Sequence, residues 1–179
     1  MIFKVCVIFA VLSLVARGQD TCNEVYLDPV GFLKLGSYKG TTQCGQAYGK
    51  SYYISQHIKS QWIFTRSICQ SFGMESLSIE TAEEQTFFLN LCEDNIKLFD
   101  DWTHVGAMTT VGRSTDNWYW ASTGKKINYP IKWALNQPDF AGNNEFCMVV
   151  IKRVKGFDFN DVICQGVYDL KFICQKNDY

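Results

Sequence analysis

The chain has few of the features that would place it in the commoner functional classes. Its 17 Lys and Arg and 18 Asp and Glu form no long run of one sign. That argues against a phosphate-tracking surface, an acidic tail and a nucleic-acid partner. It holds only two histidines, His57 and His104, and neither sits in a nucleophile elbow or a metalloprotease helix. No catalytic constellation forms around them, so an enzyme is not expected. No Asn-x-Ser/Thr triplet occurs, which leaves no N-glycosylation acceptor. There is no internal repeat, low-complexity tract or Pro-, Gly- or Ser-rich linker. Beyond the N-terminus no long apolar run occurs, so no membrane span is expected.

What is present suits one cross-linked globular domain. Hydrophobic residues make up 47% of the 179, and 5 Trp, 9 Tyr and 13 Phe can bury enough surface to offset ordering entropy. Residues 1–18 read as a secretory signal peptide: Lys4, an apolar run from Val5 to Val15, then Ala16-Arg17-Gly18 with small residues before Gln19. That run is well short of the roughly 20 residues that cross a bilayer. Cleavage there removes Cys6, Lys4 and Arg17. The product is expected to be soluble, extracellular and more acidic, with Cys22, Cys44, Cys69, Cys92, Cys147, Cys164 and Cys174. In an oxidising compartment these should pair, and the odd one is left for a partner chain or as a free thiol.

Residues 19–49 contain Gly31, Gly36, Gly40, Gly45 and Gly49 and read as a turn-rich extension with short strands and no core of its own. Residues 50–179 read as the main domain. Tyr52-Tyr53-Ile54 has strand character, and Gln61 to Phe72 spaces Trp62, Ile63, Phe64, Ile68, Cys69 and Phe72 as a helix. Thr81-Ala-Glu-Glu84 has capping-box spacing, so a second helix should run from there to about Cys92. After Asp101, aromatic and β-branched residues separated by Gly, Asn and Asp predict strands and long loops.

Oxygen-bearing side chains concentrate between Trp133 and Asp161: Asn136-Gln137-Pro138-Asp139, Asn143-Asn144-Glu145, and Asp158 with Asn160 and Asp161. Calcium takes six to eight oxygen ligands, so Gln137, Asp139, Glu145, Asn160 and Asp161 could form an open cage, whereas zinc prefers His and thiolate. The same residue types also make ordinary turns. These residues lie inside a larger pattern: Tyr52-Tyr53, Cys69, Ser78-Ile79 before Glu83-Glu84, Val105-Gly106, Trp120 with Gly124, Trp133, Gln137-Pro138-Asp139, Glu145-Phe146-Cys147, Phe159-Asn160-Asp161, Cys164 and Phe172-Ile173-Cys174. Over roughly residues 50 to 176 the pattern resembles the C-type lectin-like domain family.

The resemblance implies an α+β fold: two helices layered on small antiparallel sheets, with a long calcium-binding loop region and disulfide cross-links. It pairs Cys69 with Cys174 and Cys147 with Cys164, leaving Cys22, Cys44 and Cys92 unassigned. Cys22 with Cys44, leaving Cys92 for another chain, and Cys44 with Cys92 are both compatible with the sequence. The resemblance also implies one calcium, held by Gln137, Asp139, Glu145, Asn160 and Asp161, with a cis bond before Pro138. The first four of those residues would also bind two neighbouring hydroxyls of one sugar ring. In the family the order Gln-Pro-Asp goes with galactose and N-acetylgalactosamine. An aromatic ring commonly packs on the sugar's apolar face, and Phe140 is the candidate, with loop packing as its other reading. The places for an auxiliary calcium hold Phe140 and Phe146. Since ligation needs ionised carboxylates, metal and sugar should be lost together as pH falls. The expected partners are therefore glycans or glycoproteins, for recognition of microbial or cell-surface sugars in innate immunity. A disulfide-linked homo- or hetero-dimer through a spare cysteine is the alternative, as a protein-binding relative that does not use sugar.

Overall fold

A computed structural model describes residues 30–42, 44–110, 114–166 and 168–178. The expected signal peptide and Cys22 lie outside the described residues. Among the described residues, eight strands and two α-helices follow one another: β1 (Phe32–Thr41), β2 (Ala47–Ser55), α1 (Trp62–Ser71), β3 (Glu75–Ser76), α2 (Ala82–Asp94), β4 (Trp102–Thr109), β5 (Trp118–Trp120), β6 (Glu145–Lys152), β7 (Phe157–Ile163) and β8 (Ile173–Asp178). They form two four-stranded antiparallel sheets, ordered β1-β2-β8-β3 and β5-β4-β6-β7. The sheets meet where His104 of β4 bridges to Phe172, with the His104 N–H donating to the Lys171 carbonyl at 2.8 Å. No described helix is long and apolar enough to cross a membrane.

The helices begin and end close to where residue spacing puts them. Thr81 Oγ1 accepts the Glu84 N–H at 3.1 Å, which satisfies one of the orphan donors at the start of α2. Glu84 departs from the reciprocal capping box. One of its oxygens accepts the Glu80 N–H at 2.6 Å and the Tyr48 hydroxyl at 2.7 Å, and the other accepts the Tyr52 hydroxyl at 2.6 Å. Lys50 Nζ lies 3.0 Å from the same carboxylate, and both side chains are sealed from water. A buried carboxylate needs such partners, and here they tie β2 to α2.

The N-terminal boundary differs from the sequence reading. Residues 32–41 are a ten-residue strand along the edge of the first sheet, and residue 50 falls inside β2. Glycine content made this stretch look like turns, yet a bulge between Lys34 and Gly36 rotates Leu35 inward to join the core, where Phe32 is also buried. Gly36 lets the Leu91 side chain of α2 pack directly on the strand, where a Cβ would make that side chain shift.

Two bridges cross-link the architecture: Cys69 of α1 with Cys174 of β8, and Cys147 of β6 with Cys164 just past β7. The first closes 105 residues of chain, on the order of 4–5 kcal/mol in the chain-entropy account. Cys44 and Cys92 are both free. Cys92 is fully buried on α2, and burial pushes its thiol well above the usual range. Of the arrangements left open by the sequence, those that use Cys92 for a partner chain or for Cys44 are disfavoured by packing, which closes Cys92 off, while Cys44 is exposed on the β1–β2 turn.

Candidate functional site

The site is built where the long irregular segment after β5 is laced onto β7. Trp133 bridges to Phe159, the Ala134 N–H donates to the Phe159 carbonyl at 2.8 Å, and the Phe159 N–H donates to the Lys132 carbonyl at 2.9 Å. From α2, Gln85 holds the same segment, donating to the Pro130 carbonyl at 3.0 Å and accepting the Lys132 N–H at 3.1 Å. The chain then turns through Asn136 in a left-handed conformation, and the Gln137–Pro138 bond is cis. This brings Gln137 and Asp139 beside the middle of β7.

Asp161 is the buried centre of that arrangement. It is fully inaccessible, and its two oxygens accept the Asp139 N–H at 3.3 Å and the Phe140 N–H at 2.7 Å. Gln137 Oε1 also accepts the Asp139 N–H, at 3.0 Å. The Ala141 N–H reaches both Asp139 Oδ1 at 3.2 Å and Glu145 Oε2 at 3.0 Å, which draws the start of β6 into the group. Asn160, on β7 beside Asp161, donates its amide to the Asp161 carbonyl at 2.7 Å. One oxygen from each of Asp139, Glu145 and Asp161 lies within 4.8 Å of the others.

Three carboxylates so close repel one another. Burial, then the Asp161 charge, pushes Glu145 from an ordinary 4.5 up to about 7, and burial raises Asp161 as well. Among the described residues no Lys or Arg forms a salt bridge with any of the three. A converging, all-oxygen donor set without its own cation, partly shielded from water, matches the chemistry of calcium and not that of zinc. Gln137 and Asn160, each hydrogen-bonded to a residue of the set, carry further amide oxygens. The C-type lectin fold usually binds calcium, and the residues present fit it.

Phe140 requires a correction. It is buried at 5% exposure, and its ring stacks on Trp118 at 6.4 Å. A ring in the core cannot also lie against a sugar; the left-handed backbone at Phe140 directs the side chain inward while its N–H stays on Asp161. Residue spacing also gave no indication of the Asp139, Phe140 and Ala141 N–H groups that hold the carboxylates, or of the Gln85 brace. Both depend on contacts made across the fold. Neither histidine joins the site. His104 is buried in β4, where loss of hydration lowers it to about 4.

Two layered sheets, two helices, two bridges and a long loop that gathers carboxylates onto β7 make up the C-type lectin fold. No family model matches the chain. The chain is 28% identical over 134 residues to C-type lectin 37Da of Drosophila melanogaster, spanning 70% of this chain and 68% of that one. It is 26% identical over 127 residues to perlucin of Haliotis laevigata, spanning 71% of this chain and 77% of that one. Among solved structures, the C-type lectin CEL-I of Cucumaria echinata superposes with a TM-score of 0.56 at 22% identity, over 70% of this chain and 89% of that one. The herring type II antifreeze protein superposes at 0.55 and 21%, over 73% and 92%. These likenesses support a place for the chain in the C-type lectin-like domain family, a fold that suggests carbohydrate binding. The two disulfides are consistent with an extracellular location.

Proposed function

We propose that this chain is a secreted lectin, a binding protein and not an enzyme, that recognises terminal galactose or N-acetylgalactosamine with one calcium ion. The observation that carries this reading is the cluster of Asp139, Glu145 and Asp161, gathered within 4.8 Å without a cation of their own. Gln137, Asp139, Glu145, Asn160 and Asp161 would hold the ion, which supplies a Lewis-acidic centre for two adjacent sugar hydroxyls. Asp139 and Glu145 accept the protons of those hydroxyls, while Gln137 and Asn160 donate amide hydrogens to their oxygens. Asp161, fully buried, keeps the loop in place through the Asp139 and Phe140 N–H groups.

The galactose preference rests on the amide-then-acid order of Gln137 and Asp139. With Phe140 in the core, affinity comes from the metal and the hydrogen bonds without an aromatic platform at that position, so single sites bind weakly and biological avidity needs several copies. Microbial or cell-surface glycans are the targets this reading supports.

The experiment is retention of the disulfide-intact protein on immobilised galactose and mannose, with calcium and then with chelator. Calcium-dependent retention eluted by free galactose is expected. Elution mainly by mannose would reject the specificity rule and keep the mechanism. Measurable calcium binding with no retention on either sugar would move the function to protein recognition.

A further inference from the structure

The β6–β7 hairpin carries a second group of charges at its other end. Glu145 and Lys152 stand at the two ends of β6, seven residue steps apart, a span of roughly 23 Å for extended strand. There the chain reverses through Arg153-Val154-Lys155-Gly156. The turn is closed by the Arg153 N–H donating to the Gly156 carbonyl at 3.0 Å and by Gly156 at a φ of 75°. Lys152, Arg153, Val154, Lys155 and Asp158 line a shallow recess on this tip. Lys132 joins them from the long loop, 3.2 Å from Asp158.

Four cations thus gather at this tip with one carboxylate, Asp158, in the recess, and only two of them pair with it. Asp158 is divided between Lys132 and a distant Arg153, whose Nε lies 3.9 Å away. Lys152 sends its ammonium group to a backbone carbonyl, that of Ile96, at 3.2 Å. Lys155 is exposed and makes no ion pair among the described residues. Glu93 approaches the turn from α2, on the Gly156 side. A chain with a net charge of -1 therefore concentrates positive charge on one hydrogen-bonded turn. Val154, wholly exposed between Arg153 and Lys155, leaves the tip without a bulky side chain over the charges.

We infer that this basic turn is a docking site for a sulfated polysaccharide, independent of the proposed calcium site at the other end of β6. Closely spaced sulfate groups supply negative charge beyond that of the single Asp158 in the recess, and several weak contacts along one polymer add up. A lipid surface is the less favoured partner because a single exposed valine offers little apolar area for insertion. A protein with sugar recognition at one end of the hairpin and polyanion binding at the other would tether glycan-bearing particles to an acidic matrix.

The test uses the full disulfide-intact chain in chelator, which silences the calcium site, on immobilised heparin at about 0.1 M salt. Retention lost at high salt is expected. An Arg153→Gln/Lys155→Gln variant should bind roughly tenfold more weakly. A Lys34→Gln/Lys39→Gln variant on the edge strand β1, with the same change in net charge, should bind like the parent chain. A cooperative thermal melt monitors folding, and Lys155→Glu alone, on the exposed corner, serves if the double variant does not fold. No retention of the parent chain, or equal weakening by both double variants, overturns the assignment. Binding to vesicles of anionic lipid without binding to heparin overturns it in favour of a membrane.

Discussion

Calcium binding to this protein should release a proton, and Glu145 sets how much. Burial and the Asp161 charge hold its folded carboxyl at about 7, against an ordinary 4.5. A group with that value is roughly 90% protonated at pH 6 and about 10% at pH 8. A cation drawn to the three carboxylates needs them ionised. Titration calorimetry in buffers of different ionisation enthalpy should therefore count at least about 0.9 protons released per calcium at pH 6. At pH 8 the count should be close to 0.1, and apparent affinity should fall steadily below pH 7. In the metal-free fold the Glu145 contribution to stability has the same sign: because its folded value is raised, the fold disfavours the ionised form, so this contribution is fully present below about 4.5 and declines as pH rises toward and through 7. Calcium should reverse that decline. Glu145→Gln should abolish most of the pH-dependent release. Equal proton counts at the two pH values, or none at pH 6, would refute the idea that these carboxylates share one cation.

Four further outcomes follow from the packing. Phe140→Ala should cost about 3–5 kcal/mol in urea unfolding, as for a core aromatic; loss of sugar retention with unchanged stability would show that the ring serves the ligand instead. Lys50→Met leaves the buried Glu84 carboxylate without its cation and should cost about 3–5 kcal/mol, most of it recovered by adding Glu84→Gln. A denaturation midpoint unchanged in Lys50→Met would show that the network contributes little. Gly106→Ala places a methyl on the Leu77 carbonyl and should destabilise by more than about 1–3 kcal/mol, read as a drop in thermal midpoint. Cys92 should stay unalkylated by iodoacetamide in the native protein and react only in denaturant; native labelling would contradict its burial.

Local chemistry was legible in the sequence. The Thr81 cap, the apolar spacing of α1 and the aromatic and β-branched strands depend on residues a few positions apart, and α1 and α2 lie within about two residues of the ranges their spacing predicts. The oxygen-rich segments around Gln137, Glu145 and Asn160 were also visible as a concentration of one donor type, and the wider pattern around them suggested which residues converge. Three outcomes required the folded chain. β1 became a strand because β2 supplies its hydrogen-bonding partner and a bulge turns Leu35 inward. Cys92 became buried because α2 packs it against the core. Phe140 left the proposed sugar face because a left-handed backbone, an N–H bond to Asp161 and the Trp118 ring together direct it inside. Each depends on groups distant in sequence, for which neighbouring residues carry no information. The carboxyl chemistry belongs with them: Asp139, Glu145 and Asp161 are ordinary acids along the chain, and only their enforced proximity raises Glu145 toward neutrality.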